Sequence, residues 1–151
     1  LGWAAAGLAV LSRGFKSPRV LVDAHRRPAP PYDSGPAAAR AGATAMCDVS
    51  DGLLSDLGHV AEASGVAIDL DSSALQPDEP LREIARAMSG DAHAWVLTGG
   101  EDHALAACFP DVEAVEAAGP GWRVVGRVEA GEGVTVDGAR HAGPPGHRHF
   151  S

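Results

Sequence analysis

Leu53, Leu54, Leu57, Val60, Ala61 and Ser64 recur at the three- and four-residue spacing of one helical face, and Gly65 follows as a stop. Ser55, Asp56, His59 and Glu62 occupy the opposite, polar face. A short apolar strand, Thr44 to Cys47, expected to be buried, precedes this helix and ends in Asp48-Val49-Ser50-Asp51-Gly52. This strand–loop–helix unit constrains the chain more than any other feature. Its apolar stripe must be buried against another layer, so further strands or helices have to cover it.

The remaining pattern supplies them. Helices are expected at Ala4 to Ser12, closed by Gly14, and at Ala37 to Ala41, Pro80 to Met88 and Asp111 to Ala118. Strands are expected at Val66 to Leu70, Trp95 to Thr98 and His103 to Phe109, with Trp122 to Val128 and Val134 to Val136 as a β-hairpin. Pro18, Pro28, Pro30, Pro31 and Pro36 mark residues 16–36 as a proline-rich loop carrying the small basic group His25, Arg26 and Arg27. Residues 141–151 read as an irregular tail. The alternation favours a layered α+β fold, a mixed β-sheet covered by helices.

With 151 residues the chain can bury one core, so a single domain is expected. Its net charge of −8 argues against nucleic acid or a membrane surface as partner. It leaves open a polyphosphate held through a metal ion. Cys47 and Cys108 sit in apolar stretches, where a structural thiol in a reducing compartment is the simpler reading. The apolar opening, Leu1 to Leu11, is too short to span a bilayer and lacks a basic flank. The chain starts with Leu inside a helical pattern, as a processed product or a piece of a longer protein would.

Two acidic strings could carry chemistry. In Asp48-Val49-Ser50-Asp51-Gly52 two carboxylates flank a hydroxyl just ahead of a helix N-terminus, where N–H groups and a partial positive charge favour phosphate. Asp48 and Asp51 could hold Mg²⁺, and Ser50 could contact a phosphate. Equally, Asp and Ser are ordinary helix caps. In Gly99-Gly100-Glu101-Asp102 paired glycines permit close approach of a ligand, and adjacent acids point to opposite sides; an acidic turn is the plainer alternative. The seven histidines form no metal set, and no Walker A loop, nucleophile elbow or Cys-x-x-Cys is present.

In combination these strings resemble a known family. Gly2-Trp3-Ala4-Ala5-Ala6-Gly7-Leu8, His25-Arg26-Arg27-Pro28, Ala45 to Leu53, Asp56-Leu57-Gly58-His59, Leu97 to His103, Val125-Gly126-Arg127-Val128 and Gly-x-x-His-Phe at Gly146 to Phe150 are similar to the C-terminal half of the thiamine-monophosphate kinases. That group is related to the aminoimidazole-ribonucleotide and selenophosphate synthetases. The resemblance implies a cytoplasmic, homodimeric, Mg²⁺-dependent enzyme that transfers the γ-phosphoryl group of ATP to thiamine monophosphate. It further implies Asp48 and Asp51 as metal ligands, Ser50 as an ATP contact, and Glu101 and His147 as substrate contacts. His147 stands where the family usually carries a stacking aromatic. The family's N-terminal half is absent, so the 151-residue piece alone is expected to be inactive. Another ATP-using enzyme of the superfamily, or a non-catalytic binding module, would show similar strings.

Overall fold

The structure, a computed structural model, describes residues 1–147. Its elements in chain order are α1 (Trp3–Ser12), α2 (Arg19–Arg26), α3 (Ser34–Arg40), β1 (Ala45–Val49), α4 (Leu53–Ser64) and β2 (Ala67–Leu70). A 3₁₀ turn at Ser72–Leu75 leads to α5 (Glu79–Met88), α6 (Ala92–Thr98), β3 (Ala104–Cys108), α7 (Val112–Ala117), β4 (Gly126–Glu129) and β5 (Gly133–Val136).

The fold is α+β, with mixed sheet structure covered by helices, and the strands divide into two small sheets. β1 and β3 form an antiparallel pair in which Cys47 faces Ala106 and Asp48 faces Leu105. The second sheet has the order β4-β2-β5, antiparallel on one side of β2 and parallel on the other. Helix α4 joins the two sheets. Its apolar stripe, Leu53, Leu54, Leu57 and Ala61, is buried with Val49 of β1 and Ile68 and Leu70 of β2. The left-handed Gly65 ends it, as the sequence requires.

Four sequence expectations are corrected. Residues 16–36 are not all loop, because α2 fills the proline-free interval between Pro18 and Pro28. Pro18 sits at its N-cap, where the missing N–H costs nothing; Leu21 and Val22 are buried, and His25 and Arg26 fall at the negative end of the helix. Gly7 of α1 packs so closely on the Leu21 carbonyl that a side chain would not fit.

Trp95 to Thr98 is the end of α6 rather than a strand. The Asp91 carboxylate accepts from the N–H groups of His93 and Ala94, and that cap overrides the β-preference of Trp-Val-Leu-Thr. The expected hairpin does not form. Glu129 and Gly133 instead flank Ala67 from opposite sides, and the connecting Gly131 (φ 144°) passes over the Ala67 methyl. Finally, the strands around the first acidic string are only half-buried; Met46 is 39% exposed.

The tail follows the expectation of irregular structure through residue 147; its last residues lie outside the described ones. Among the described residues no helix is long and apolar enough to cross a membrane.

In the second sheet Asp69 ties three segments together. Its carboxylate accepts from Thr135 Oγ1 (2.6 Å), Gly138 N–H (2.8 Å) and Arg127 (3.0 Å). The Thr135 hydroxyl, then the Gly138 N–H and the Arg127 charge, hold Asp69 below the usual carboxylate range. A carboxylate depressed by folding stabilises the native state above its unfolded pKa of about 4, and that contribution disappears as pH falls through the lower folded value. Chemical denaturation between pH 5 and 2 is therefore expected to show a shallower acid loss in Asp69→Asn than in the wild type. Identical acid limbs would remove Asp69 from the acid response.

Candidate functional site

The two acidic strings lie about fifty residues apart and meet at the end of β1. Beyond the last β1–β3 pair, Val49 with Ala104, the loop stays hydrogen-bonded to the strand end: His103 N–H donates to the Val49 carbonyl (2.9 Å) and Glu101 N–H to the Ser50 carbonyl (2.8 Å). Glycine makes this seam possible. A Cβ on Gly100 would collide with the Ser50 carbonyl, and one on Gly52 would lie 2.6 Å from the Thr98 carbonyl oxygen.

The adjacent acids of the second string divide as expected. Asp102 faces inward, its carboxylate accepting from the N–H groups of Gly2 and Ala4 (2.9 Å for Ala4), and so caps α1. Glu101 faces outward with its side chain 64% exposed. The backbone is not extended there, since Glu101 (φ 66°) and His103 (φ 50°) are both left-handed. The His103 ring lies between the strings, Nδ1 3.2 Å from Asp48 Oδ2 and Nε2 3.8 Å from Glu101 Oε2.

Asp56 contradicts the assignment of a polar, solvent-facing position. It is buried, and its Oδ2 accepts three N–H bonds, from Ser50 (2.9 Å), Asp51 (3.1 Å) and Gly52 (3.1 Å). Successive N–H groups converging on one point make an anion nest. Here the protein's own carboxylate fills it, so these three donors hold the loop rather than a phosphate. The sequence signal was available: Asp56 lies four residues after Gly52, one helical turn on, within the Asp56-Leu57-Gly58-His59 string.

Asp51, Asp56 and His59 bring one ligand atom each within 4.8 Å of one another. Asp48 is outside that group and pairs with His103. The donor chemistry of Asp48 and Asp51 is hard carboxylate oxygen, which fits Mg²⁺; the imidazole of His59 suits softer metals better.

A cleft of about 610 Å³ opens beside this rim, between the outer face of α4 and the C-terminal segment. Asp51, Ser55, His59, Glu62, Arg140, His141 and His147 are among its walls. The segment is fastened there by His147 N–H, which donates to the Asp51 carbonyl (2.8 Å). The structure thus places Asp48, Ser50 and Glu101 together at the seam, and Asp51 with His147 at the cleft. The rest of the terminal motif, Arg148 to Phe150, lies outside the described residues.

Both cysteines are free and half-buried; burial, with the charges of Asp56 and Asp48, pushes the Cys47 thiol up to about 11, and burial raises Cys108 too, which disfavours the thiolate form.

Known proteins resemble the chain along its length. Residues 2–139 match the family described as AIR synthase related protein, C-terminal domain. A thiamine-monophosphate kinase of Mycobacterium tuberculosis is 51% identical over 99% of this chain and 44% of its own length. One from Corynebacterium glutamicum is 43% identical over 99% of the chain and 46% of its length. The chain therefore spans less than half of these relatives. Among solved structures, AaThiL complexed with AMPPCP and TMP superposes with a TM-score of 0.85 at 32% identity, covering 99% of this chain and 48% of that one. Thiamine monophosphate kinase from Aquifex aeolicus gives 0.80 at 31% identity, covering 93% and 48%.

Proposed function

The chain belongs to the AIR synthase related protein C-terminal domain family, and from that membership we propose that it is the C-terminal half of a thiamine-monophosphate kinase. The full protein transfers the γ-phosphoryl group of ATP to the phosphate of thiamine monophosphate, yielding thiamine diphosphate. The observation that carries this reading is the seam: Asp48, Ser50 and Glu101, distant in sequence, share one rim beside a cleft that Asp51 and His147 line. The 51% identity to a thiamine-monophosphate kinase supports the choice of acceptor.

The chemistry suits these residues. The nucleophile is already an anionic phosphate oxygen, so no strong general base is needed. The barrier lies in aligning two polyanions, which positioning and charge neutralisation address. Asp48 and Asp51 would hold Mg²⁺, which neutralises phosphate charge when bound. Ser50, on the loop tied by Asp56, contacts ATP. Glu101 and His147 approach from the loop and the C-terminal segment to orient the thiamine substrate, with the imidazole of His147 in the stacking position. The remaining metal ligands lie on the N-terminal half. The assembly is a cytoplasmic homodimer.

In the full-length protein, Asp48→Asn and Asp51→Asn are each expected to lower kcat/KM by about 10²–10³-fold, as for loss of one preorganised electrostatic group. The assay is thiamine diphosphate formation from thiamine monophosphate, ATP and Mg²⁺. A wild-type protein that leaves thiamine monophosphate unconverted would overturn the reading. The 151-residue chain alone is expected to show no turnover.

A further inference from the structure

Building on the kinase reading, we propose that His103 is a positioning residue that fixes the Asp48 carboxylate for its cation. An ionised carboxylate can only accept, so the short contact requires the hydrogen on Nδ1, donating to Asp48 Oδ2 at 3.2 Å. This commits one carboxylate oxygen and orients the other, Oδ1, for a cation. The 3.8 Å from Nε2 to Glu101 Oε2 is beyond hydrogen-bond range, so Glu101 is a neighbour of the ring and Asp48 its partner.

Folding stability does not account for the arrangement. The His103 side chain is 32% exposed and that of Asp48 54%, and pairs so open to water contribute little to stability. The backbone meanwhile holds His103 at φ 50°, next but one to Glu101 at φ 66°, conformations that non-glycine residues rarely adopt. Two hydrogen bonds to the end of β1 enforce them, from His103 N–H to Val49 and from Glu101 N–H to Ser50. Backbone held this way clusters where a site needs a group in one place. Carboxylates that ligate metals are commonly steadied by such a second hydrogen bond, and its loss costs 10–100-fold in metal affinity.

The test uses the full-length protein with Mn²⁺ as probe, in the presence of a non-hydrolysable ATP analogue, with affinity read by titration calorimetry. His103→Ala is expected to weaken Mn²⁺ binding about 10–100-fold. His103→Asn should restore most of it, because its amide N–H reaches the place of Nδ1 and asparagine tolerates the left-handed backbone. In kinetics, His103→Ala should raise the Mg²⁺ concentration for half-maximal rate more than the KM for thiamine monophosphate. Unchanged Mn²⁺ affinity in a natively folded His103→Ala protein overturns the proposal, as do equal losses in the Ala and Asn variants. If the wild type binds Mn²⁺ but does not turn over, the kinase reading fails while the affinities still decide the role of His103. A wild type that binds no Mn²⁺ removes both.

Discussion

Asp56→Ala is expected to destabilise the protein by about 3–5 kcal/mol, a loss of the size that breaking a buried polar network brings. One oxygen of Asp56 accepts from three consecutive N–H groups, of which that of Gly52 is fully buried. Hydrogen bonds to a charged acceptor contribute about 1.5–3 kcal/mol each, and donors left buried without a partner carry their own desolvation cost. Water can reach the part-buried Ser50 and Asp51 donors, which keeps the total below the simple sum. Asp56→Asn keeps an acceptor oxygen and loses the charge, so about 1–2 kcal/mol is expected from it. Thermal unfolding followed by circular dichroism should fall by roughly 10 °C for the alanine variant. The same loop carries Ser50 and Asp51, so divalent-cation binding should weaken in the asparagine variant even where it remains folded. An alanine variant that melts with the wild type would show that the nest does not hold the loop.

What was legible in the sequence was what is local. Helix α4 was readable because its apolar period is unbroken, and Asp48, Ser50, Asp51 and Glu101 stood out because each sits in a short distinctive string. The meeting of those strings was not readable, since it depends on bonds from residues 101 and 103 back to 50 and 49. Helix α2 is masked by the proline content of residues 16–36, although the interval between Pro18 and Pro28 is long enough for two turns. Helix α6 reads as a strand in the sequence because a single Asp91 cap outweighs four residues of β-preference. The hairpin failed for a topological reason: β2 offers two edges, and a connection over Ala67 lets β4 and β5 each take one. Asp56 falls on the polar face because helical period divides faces by polarity, and a carboxylate that serves backbone donors breaks that division.

Gly52→Ala and Gly58→Ala are expected to act in opposite directions, although the two glycines are only six residues apart. Gly58 lies inside α4, and beyond the helix's own backbone nothing lies within 4 Å of where its Cβ would be. Alanine there should raise stability by about 0.5–1 kcal/mol through helix preference and a smaller unfolded-state entropy. Gly52 has φ 125°, a backbone closed to other residues, and its Cβ would lie 2.6 Å from the Thr98 carbonyl oxygen and 2.8 Å from its carbon. Both obstacles are rigid: one is the residue's own backbone, the other the end of α6. The substitution should cost about 3 kcal/mol or more, read as a lower denaturation midpoint. It must also push the Thr98–Gly99 segment away from the end of β1. That segment leads directly into Glu101, so the seam should open and the two acidic strings separate. Turnover in the full-length Gly52→Ala protein is therefore expected to fall further than its loss of folded population explains, while Gly58→Ala leaves the seam intact. Full specific activity in the folded fraction of Gly52→Ala would show that the rim does not depend on this close approach.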